Sequence, residues 1–303
     1  RDLHNEYRRQ RQMCIRDSVW TMHDMWPCTG ICHHARDCEK FQTECESCFF
    51  LKSKGKDLST SVFDKKMSLY KDANITFVGC SRWLSGRAKK SYLLRGKAVL
   101  SIPNPIDTKV YHPMDQGMAR ELLGLPSGKR LLLFGALNVT DKRKGIDYLI
   151  EALRRMEKQD VELVVFGQVK DDIRGLFPVP IHSMGYLSDE SKIVALYNAV
   201  DMFITSSLEE NLPNTIMESM ACGTPCVGFE IGGIPEMIDH RVNGYVANYK
   251  DAGDLANGIQ WVLEHEDRLA LSDACVKKVQ ENYTEEVVAK QYTALYEKLL
   301  KGE

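Results

Sequence analysis

The sequence predicts an α/β protein whose short apolar strands form a parallel sheet covered on both faces by helices. After Pro113 strands alternate with helices, beginning with the strand Leu131–Gly135 and the helix Gly145–Lys158. This alternation is typical of parallel sheets, because consecutive parallel strands need a crossover connection, usually a helix. The chain of 303 residues is long enough for two domains, and Pro103-Asn104-Pro105 interrupts the periodicity between them.

The elements before this boundary are few. Ile75–Val78 and Ala98–Ile102 are predicted strands, and a helix begins between them at Ser81. The first predicted strand begins at Val19. Residues 1–18 show neither helical nor strand periodicity. We therefore interpret residues 1–18 as a non-native or disordered segment.

The elements after the boundary form one repeating series. The helix Gly145–Lys158 carries Ile146, Leu149, Ile150 and Leu153 on one face, as a helix that covers a sheet should. Three helices close the chain and begin near Asp251, Glu266 and Glu285. The remaining predicted strands are Val161–Gly167, Met202–Thr205 and Pro225–Gly228, and the remaining helices are Ser188–Ala199 and Thr215–Cys222.

Composition excludes several classes of protein. The chain has 40 Lys+Arg against 42 Asp+Glu, so no nucleic-acid partner is expected. Its longest apolar stretch, Leu131–Leu137, is far shorter than the ~20 residues of a membrane-spanning helix. The segment Arg1–His4 lacks the apolar region of a secretory signal, so we expect a cytoplasmic protein. The G-x-G-x-x-G sequence of a nicotinamide oxidoreductase does not occur.

Two glutamates mark a candidate ligand site. Glu210 precedes the helix Thr215–Cys222 and Glu218 lies within it, so both stand at a strand-to-helix junction. Open α/β sheets bind ligands at such junctions, with phosphates near helix N-termini. An offset of eight residues is about two helical turns, so the two carboxylates can bind different parts of an extended ligand. Two solvated charges would have the same spacing, but Gly223-Thr224-Pro225 and Gly232-Gly233 make the pattern specific.

Together these residues resemble the family 4 retaining glycosyltransferases of the GT-B fold. The paired glutamates of that family are followed by a helix and strand that correspond here to Glu218–Val227. The resemblance covers roughly Val19 to Leu300, with Pro105 where the family usually has glycine. The other matching segments are Ile102–Asp107, Gly232–Glu236 and Asn243-Gly244.

The resemblance implies a GT-B architecture of two Rossmann-like domains, the N-terminal one incomplete because too few residues precede His23. It implies a partial acceptor-side domain at 19–112 and a nucleotide-sugar-binding domain at 113–283. A C-terminal helix at 284–303 would return to the N-terminal domain, with an apolar face to bury.

The activity that the resemblance implies is that of a hexosyltransferase. It would transfer a hexose from a nucleotide-diphosphate sugar to a glycan or lipid-linked acceptor with retention, in surface polysaccharide biosynthesis. No Asp-x-Asp metal sequence occurs, so no cofactor is expected in catalysis. The alternative is a non-catalytic fragment that binds a nucleotide sugar or zinc.

The resemblance also implies roles for individual residues. Glu218 would accept hydrogen bonds from the ribose hydroxyls, and Glu210 would face the donor sugar. Lys144 would neutralise the diphosphate, with Arg143 in place of an arginine that the family has after the preceding strand. Pro213 has no N–H, so the amides that bind the sugar and diphosphate would come from Asn211, Leu212, Asn214 or Thr215.

Two further sites follow from the resemblance. His23, at the end of a short strand, would face the donor and acceptor and take part in catalysis. Gly185-Tyr186 would pass the nucleotide base, where Tyr186 either stacks on the base or packs on the sheet edge.

Five of the ten cysteines lie between Cys28 and Cys48. Cys45 and Cys48 have the spacing of a metal knuckle, and Cys32 and Cys38 complete a set of four thiolates. We predict that these four hold one structural zinc, with His33 or Cys28 as substitute ligands. Free buried thiols, or a redox pair at Cys45 and Cys48, are the alternatives.

The segment Ser81–Lys97 contains six basic residues and no acidic one. Its pattern is that of a basic amphipathic helix, which can lie on an anionic membrane. We favour a solvated helix face. The alternative is peripheral contact with the inner face of the membrane.

Overall fold

This computed structural model describes residues 18–138, 141–156, 160–168 and 174–301. They form two compact units. One contains the described residues as far as Pro103 together with those from Lys290 onward, and the other runs from Asn104 to Ala289. Except for Ser18, the segment predicted to be non-native lies outside the described residues.

The first unit contains a three-stranded parallel sheet in the order β1-β2-β3. Helix α1 lies between β1 and β2 in sequence, and α2 lies between β2 and β3. Thr21 on β1 shares a 2.9 Å hydrogen bond with Tyr292 of the last helix, α10 (Glu285–Leu300), whose C-terminal part belongs to this unit. The elements are β1 (Ser18–Met22), α1 (Leu58–Lys71), β2 (Ile75–Gly79), α2 (Arg82–Lys90) and β3 (Val99–Ser101).

The second unit contains a six-stranded sheet in the order β6-β5-β4-β7-β8-β9, and every neighbouring pair is parallel. The predicted α/β fold with parallel sheets is therefore confirmed. The strands are β4 (Arg130–Asn138), β5 (Val161–Gln168), β6 (Ile181–Gly185), β7 (Met202–Thr205), β8 (Cys226–Phe229) and β9 (Gly244–Ala247). The helices are α3 (Gln116–Leu123), α4 (Ile146–Arg155), α5 (Glu190–Ala199), α6 (Asn214–Ala221), α7 (Ile234–Met237), α8 (Ala252–Leu263) and α9 (Arg268–Asn282), before α10.

The strand order reverses direction between β4 and β7. From β4 the chain adds β5 and β6 on one side, and it then returns to add β7, β8 and β9 on the other. The crevice at the carboxyl ends of two such strands is where open parallel sheets bind ligands. A ligand site is therefore expected at the loops that follow β4 and β7.

Helix α4 covers one face of this sheet as its periodicity predicts. Leu149 is fully buried, and Ile146, Ile150 and Leu153 are each less than 9% exposed in the same apolar core. Helix α5 begins at Glu190, two residues after the predicted Ser188, because the side chain of Asp189 caps it by accepting a bond from Ser191 N at 3.0 Å. None of the described helices is long and apolar enough to cross a membrane.

The segment after Pro103 packs within the second unit. Ile106 N donates to the Tyr283 carbonyl at 2.8 Å, and the Asn198 amide donates to the His112 carbonyl at 3.1 Å. The division between the units consequently lies at Pro103, where the predicted break Pro103-Asn104-Pro105 begins, and before the limit at 112/113 that the resemblance implies. A second division lies at Ala289.

A buried carboxylate joins the amino ends of β4 and β7. Asp201 is 4% exposed and accepts bonds from Leu131 N at 2.6 Å, Arg120 at 3.1 Å and Arg268 at 2.5 Å. Arg120 is equally buried and also donates to the Ala199 carbonyl at 2.7 Å. These groups border a cavity of about 750 Å³ at the edge of the sheet opposite to the crevice.

We expect Asp201→Ala to lower the free energy of unfolding by about 3 kcal/mol, because it leaves the buried Arg120 guanidinium without its counter-charge. Asp160→Ala is the matched control, since Asp160 pairs with Lys129 at an exposed position where ion pairs contribute little. Urea titration of both variants measures the difference. Equal destabilisation by the two substitutions would contradict this assignment.

Candidate functional site

Two predicted residues meet at the carboxyl edge of the second sheet. Lys144 lies in the turn between β4 and α4, and Glu210 lies in the loop between β7 and α6. The Lys144 Nζ and Glu210 Oε1 atoms are 2.5 Å apart, and both side chains are partly buried. The structure thus brings together a cation and a carboxylate that are far apart in sequence, at the crevice between β4 and β7.

Backbone contacts fix the two loops against each other. The Leu208 N–H donates to the Arg143 carbonyl at 2.7 Å, and the Ser206 hydroxyl donates to the Lys144 carbonyl at 2.9 Å. Gly145 has a positive φ of 63°, and a Cβ atom there would lie 1.9 Å from the Ser206 carbonyl oxygen. Only glycine permits this approach, so the Lys144 position depends on the residue that follows it.

The Gly232-Gly233 element supports the other side of the Glu210 loop. A Cβ atom at Gly232 would lie 2.0 Å from the Glu210 carbonyl oxygen, and the Gly233 N–H donates to the Asn211 carbonyl at 2.5 Å. The glycines that distinguish the motif therefore act by letting two backbones touch. Asn211 and Leu212, both predicted to bind the donor, lie in this supported loop, and the Leu212 side chain is buried.

Helix α6 begins at the crevice and carries Glu218. Its N-cap is Pro213, which makes no side-chain cap bond, and Asn214 and Thr215 are its first residues. The first N–H groups of a helix lack partners within the helix, and they attract anions. The Asn214 side-chain oxygen accepts a bond from Asn104 at 3.2 Å. This end of α6 is thus suited to bind phosphate or sugar oxygens.

Glu218 contacts a tyrosine of the preceding helix, α5. The Tyr197 hydroxyl donates to Glu218 Oε2 at 2.8 Å. Burial raises the pKa of Glu218, while the bond from Tyr197 opposes that rise. The local sequence pattern gave no sign of Tyr197, because this contact joins α5 to α6.

Arg143 forms a local ion pair. Its guanidinium bonds to both carboxylate oxygens of Asp141, at 2.6 Å to Oδ2 and 3.2 Å to Oδ1, and this lowers the pKa of Asp141. The Arg143 charge is thereby partly neutralised within its own turn. Its predicted role toward the donor diphosphate stays a prediction.

Gly185 and Tyr186 end strand β6. Gly185 has a positive φ of 64°, and the Tyr186 side chain that follows is 62% exposed. So large an exposure does not fit packing on the sheet edge. Stacking on a nucleotide base is the remaining interpretation, and it stays a prediction.

His23 lies in the first unit, directly after β1, and its side chain is exposed. The neighbouring Asp24 accepts from Trp26 N at 2.7 Å and contacts His33 Nδ1 at 2.8 Å. Asp24 is therefore engaged with His33. The catalytic role of His23 stays a prediction.

The cysteine-rich segment between β1 and α1 is anchored by residues outside it. The buried Lys66 ammonium donates to the carbonyls of Trp26, Thr29 and Gly30 at 2.5, 2.9 and 3.0 Å, and burial lowers its pKa to about 8. The Asp57 side chain accepts from Cys48 N at 2.8 Å. Sequence reasoning missed the role of Lys66, which no local pattern indicates.

The four predicted zinc ligands are free thiols near one another. Burial raises the pKa of Cys32 to about 12, with contributions from the nearby Cys48, Cys45 and Cys38. The Gly30 N–H donates to Cys45 Sγ at 3.3 Å. Among the residues that the structure describes, however, no three His, Cys, Asp or Glu side chains are arranged to hold a metal ion. The zinc site stays a prediction.

Helix α2 has one buried face and one exposed face, as the interpretation of Ser81–Lys97 as a solvated helix requires. Its apolar residues Leu84 and Ala88 are buried, and Trp83 stacks on His34 with ring centres 5.3 Å apart. Arg82 and Lys89 are exposed. The exposed face of α2 is therefore basic rather than apolar.

Residues 128–265 match the family model described as glycosyl transferases group 1. The chain is 24% identical over 213 residues to N-acetyl-α-D-glucosaminyl L-malate synthase of Bacillus anthracis, covering 68% of this chain and 55% of that protein. It is 33% identical over 118 residues to an N,N'-diacetylbacillosaminyl-diphospho-undecaprenol α-1,3-N-acetylgalactosaminyltransferase of Campylobacter jejuni, covering 39% and 31%. The chain spans about half the length of the curated relatives it matches.

Solved structures show the same fold. Sucrose-phosphate synthase of Thermosynechococcus elongatus superposes with a TM-score of 0.71 at 21% identity, over 94% of this chain and 68% of that chain. HepE of Anabaena, solved in complex with UDP, has a TM-score of 0.71 at 19% identity, over 92% and 71%. The predicted GT-B fold with Rossmann-like domains is therefore confirmed.

We expect purified protein that has never met a chelator to contain about one zinc per chain, bound by thiolates of Cys32, Cys38, Cys45 and Cys48. Removing two ligands by Cys32→Ser with Cys45→Ser should abolish the zinc. Cys80→Ser, at a buried cysteine of the same unit outside this segment, is the control and should leave the zinc content unchanged. Elemental analysis decides, and a wild-type content well below one zinc per chain would refute the site.

Proposed function

We propose that this chain is part of a glycosyltransferase that transfers a hexose from a nucleotide-diphosphate sugar to a glycan or lipid-linked acceptor with retention. The observation that carries the proposal is the Lys144–Glu210 contact at the crevice between β4 and β7, with Glu218 on the following helix. The match of residues 128–265 to group 1 glycosyl transferases supports it. The names of several relatives, which are those of sugar transferases, also support the proposal. The UDP-glucose bound to HepE supports it as well.

The site has the charges that departure of a diphosphate requires. In transfer, the bond between the sugar C1 and the diphosphate oxygen breaks, and negative charge grows on the diphosphate. Lys144 and the first amides of α6 would stabilise that charge, which is electrostatic catalysis by preorganised groups.

The Lys144–Glu210 contact also implies an exchange of partners. In the structure, the ammonium and the carboxylate neutralise each other at 2.5 Å. A diphosphate carries more negative charge than one carboxylate and would attract Lys144 away. Glu210 would then be able to accept hydrogen bonds from the hydroxyls of the donor sugar, as predicted for it.

The remaining roles concern the acceptor and the location of the reaction. We assign His23 to the acceptor side and surface polysaccharide biosynthesis as the process, in the cytoplasm. A lipid-linked acceptor would bring the first unit to the inner face of the membrane, where exposed Arg82, Lys89 and Lys90 would meet anionic headgroups.

Donor binding without turnover is the second candidate, because the chain spans about half the length of its relatives. Both candidates require the same donor site. Transfer or hydrolysis of a radiolabelled nucleotide sugar by this chain would distinguish turnover from binding alone.

We expect Lys144→Met to weaken UDP binding by about tenfold to a hundredfold, the range for loss of a hydrogen bond to a charged group. Uridine binding should change little, since uridine has no phosphate. Lys142→Met is the matched control, because Lys142 lies in the same turn with its side chain exposed. Calorimetric titration measures the affinities for UDP and uridine. The same titrations with GDP and guanosine give a second pair of ligands. Equal loss of UDP and uridine affinity would contradict a diphosphate role for Lys144.

A further inference from the structure

We propose that Tyr197 is a positioning residue of the donor site, which orients the Glu218 carboxylate for the ribose hydroxyls of the nucleotide. The inference rests on the proposed function and deepens it. Tyr197 itself would not touch the donor. It would act through the 2.8 Å bond from its hydroxyl to Glu218 Oε2.

The Tyr197 ring is held in one position. Its side chain is fully buried in α5, and the rings of Phe166 and Phe203 pack edge-on against it, with centres 6.2 and 6.0 Å away. The Thr224 hydroxyl donates to the Tyr197 carbonyl at 2.7 Å, which also fixes its backbone. The Tyr197 hydroxyl is therefore fixed in position, and its bond can restrict the Glu218 side chain to one orientation.

The two oxygens of the Glu218 carboxylate would have different partners. An ionised carboxylate accepts about four hydrogen bonds through two oxygens. The Tyr197 hydroxyl uses one of them at Oε2, which leaves acceptor capacity at Oε1 for a neighbouring pair of ribose hydroxyls. A glutamate without this bond could adopt several rotamers, and binding would have to select one of them.

The charge of Glu218 depends on the same bond. Burial and the nearby Glu190 carboxylate raise the pKa of Glu218, and the Tyr197 hydroxyl lowers it. Burial raises the pKa values of Tyr111 and Cys222, and the nearby Glu218 charge adds to both rises. Burial also keeps Tyr197 protonated by raising its pKa well above its ordinary value. The groups that face Glu218 are thus one carboxylate, two phenols and a thiol, and among them the Tyr197 hydroxyl donates a bond to it at 2.8 Å.

These groups predict a pH dependence of donor binding. The ribose hydroxyls donate to the ionised carboxylate, so affinity falls as pH drops through the Glu218 pKa. Tyr197→Phe removes the group that lowers this pKa, so the fall should begin at a higher pH. At a pH where Glu218 stays ionised, the variant should still bind about tenfold more weakly, because the carboxylate is no longer oriented.

The experiment is a calorimetric titration with UDP-glucose from pH 5 to pH 8. UDP-glucose is preferred to UDP because a terminal phosphate titrates near pH 6. GDP-glucose replaces it if the wild type binds that ligand more tightly. The matched control is Tyr245→Phe in β9, which removes another tyrosine hydroxyl bonded at 2.8 Å to a carboxylate, that of Asp254. Tyr245→Phe should leave both the affinity and the midpoint of its pH profile unchanged.

The outcomes separate this inference from the proposed function. If the wild type binds neither nucleotide sugar, both fail. If it binds and Tyr197→Phe has the wild-type affinity and midpoint, only the inference fails. A variant that loses affinity equally at every pH, without a shift of the midpoint, would show a merely structural role and would also overturn it.

Substitution of Glu218 gives a second test, and its first measurement uses Glu218→Gln alone, without a substitution of Tyr197. Glu218→Gln cannot ionise, so its residual UDP-glucose affinity should be independent of pH over this range. In that background, adding Tyr197→Phe should weaken binding by less than about twofold, because the two changes remove the same interaction. A Glu218→Gln profile with the wild-type midpoint would overturn the proposal.

Discussion

The contact between Lys144 and Glu210 joins the two loops on which the candidate donor site depends. One loop follows β4 and the other follows β7, the strands between which the sheet order reverses. Parallel strands place their carboxyl ends at one edge, so the fold itself brings these loops together. Gly145 and Gly232 then allow the backbones to touch, and the side chains face each other across the crevice.

The charged groups of the candidate site have two kinds of partner, which are opposite charges and a neutral hydroxyl. Lys144 and Glu210 neutralise each other, and Arg143 is paired with Asp141. Glu218 instead accepts a bond from a neutral donor, the Tyr197 hydroxyl, which does not cancel the charge of an ionised carboxylate. A bound diphosphate would exchange partners with the first pair while Glu218 stays in place. Such preorganisation lowers the reorganisation required when charge develops.

The sequence predicts the second unit far better than the first. Strong periodicity predicts β4 through β8 apart from β6, and the glycines and prolines that end each element locate Lys144, Glu210 and Glu218. The short strands β6 and β9 and the helices α1, α3 and α7 escaped prediction. Strands and helices of four or five residues show little periodicity. The longer helices α1 and α3 do have local signals that could have located them, Asp57 at the start of α1 and Asp115 and Gly124 at the two ends of α3. Tyr197 also escaped prediction, since its partner lies on another helix. Cysteine spacing indicates a set of ligands, but it cannot supply the distances between their sulfurs.

The measurement that tests this account most directly is a crystal structure of the protein with UDP-glucose bound. The account predicts Lys144 Nζ at hydrogen-bond distance from a diphosphate oxygen, released from Glu210, with the ribose hydroxyls on Glu218. UDP-glucose bound away from the loops that follow β4 and β7, or bound there with the Lys144–Glu210 contact intact, would contradict it.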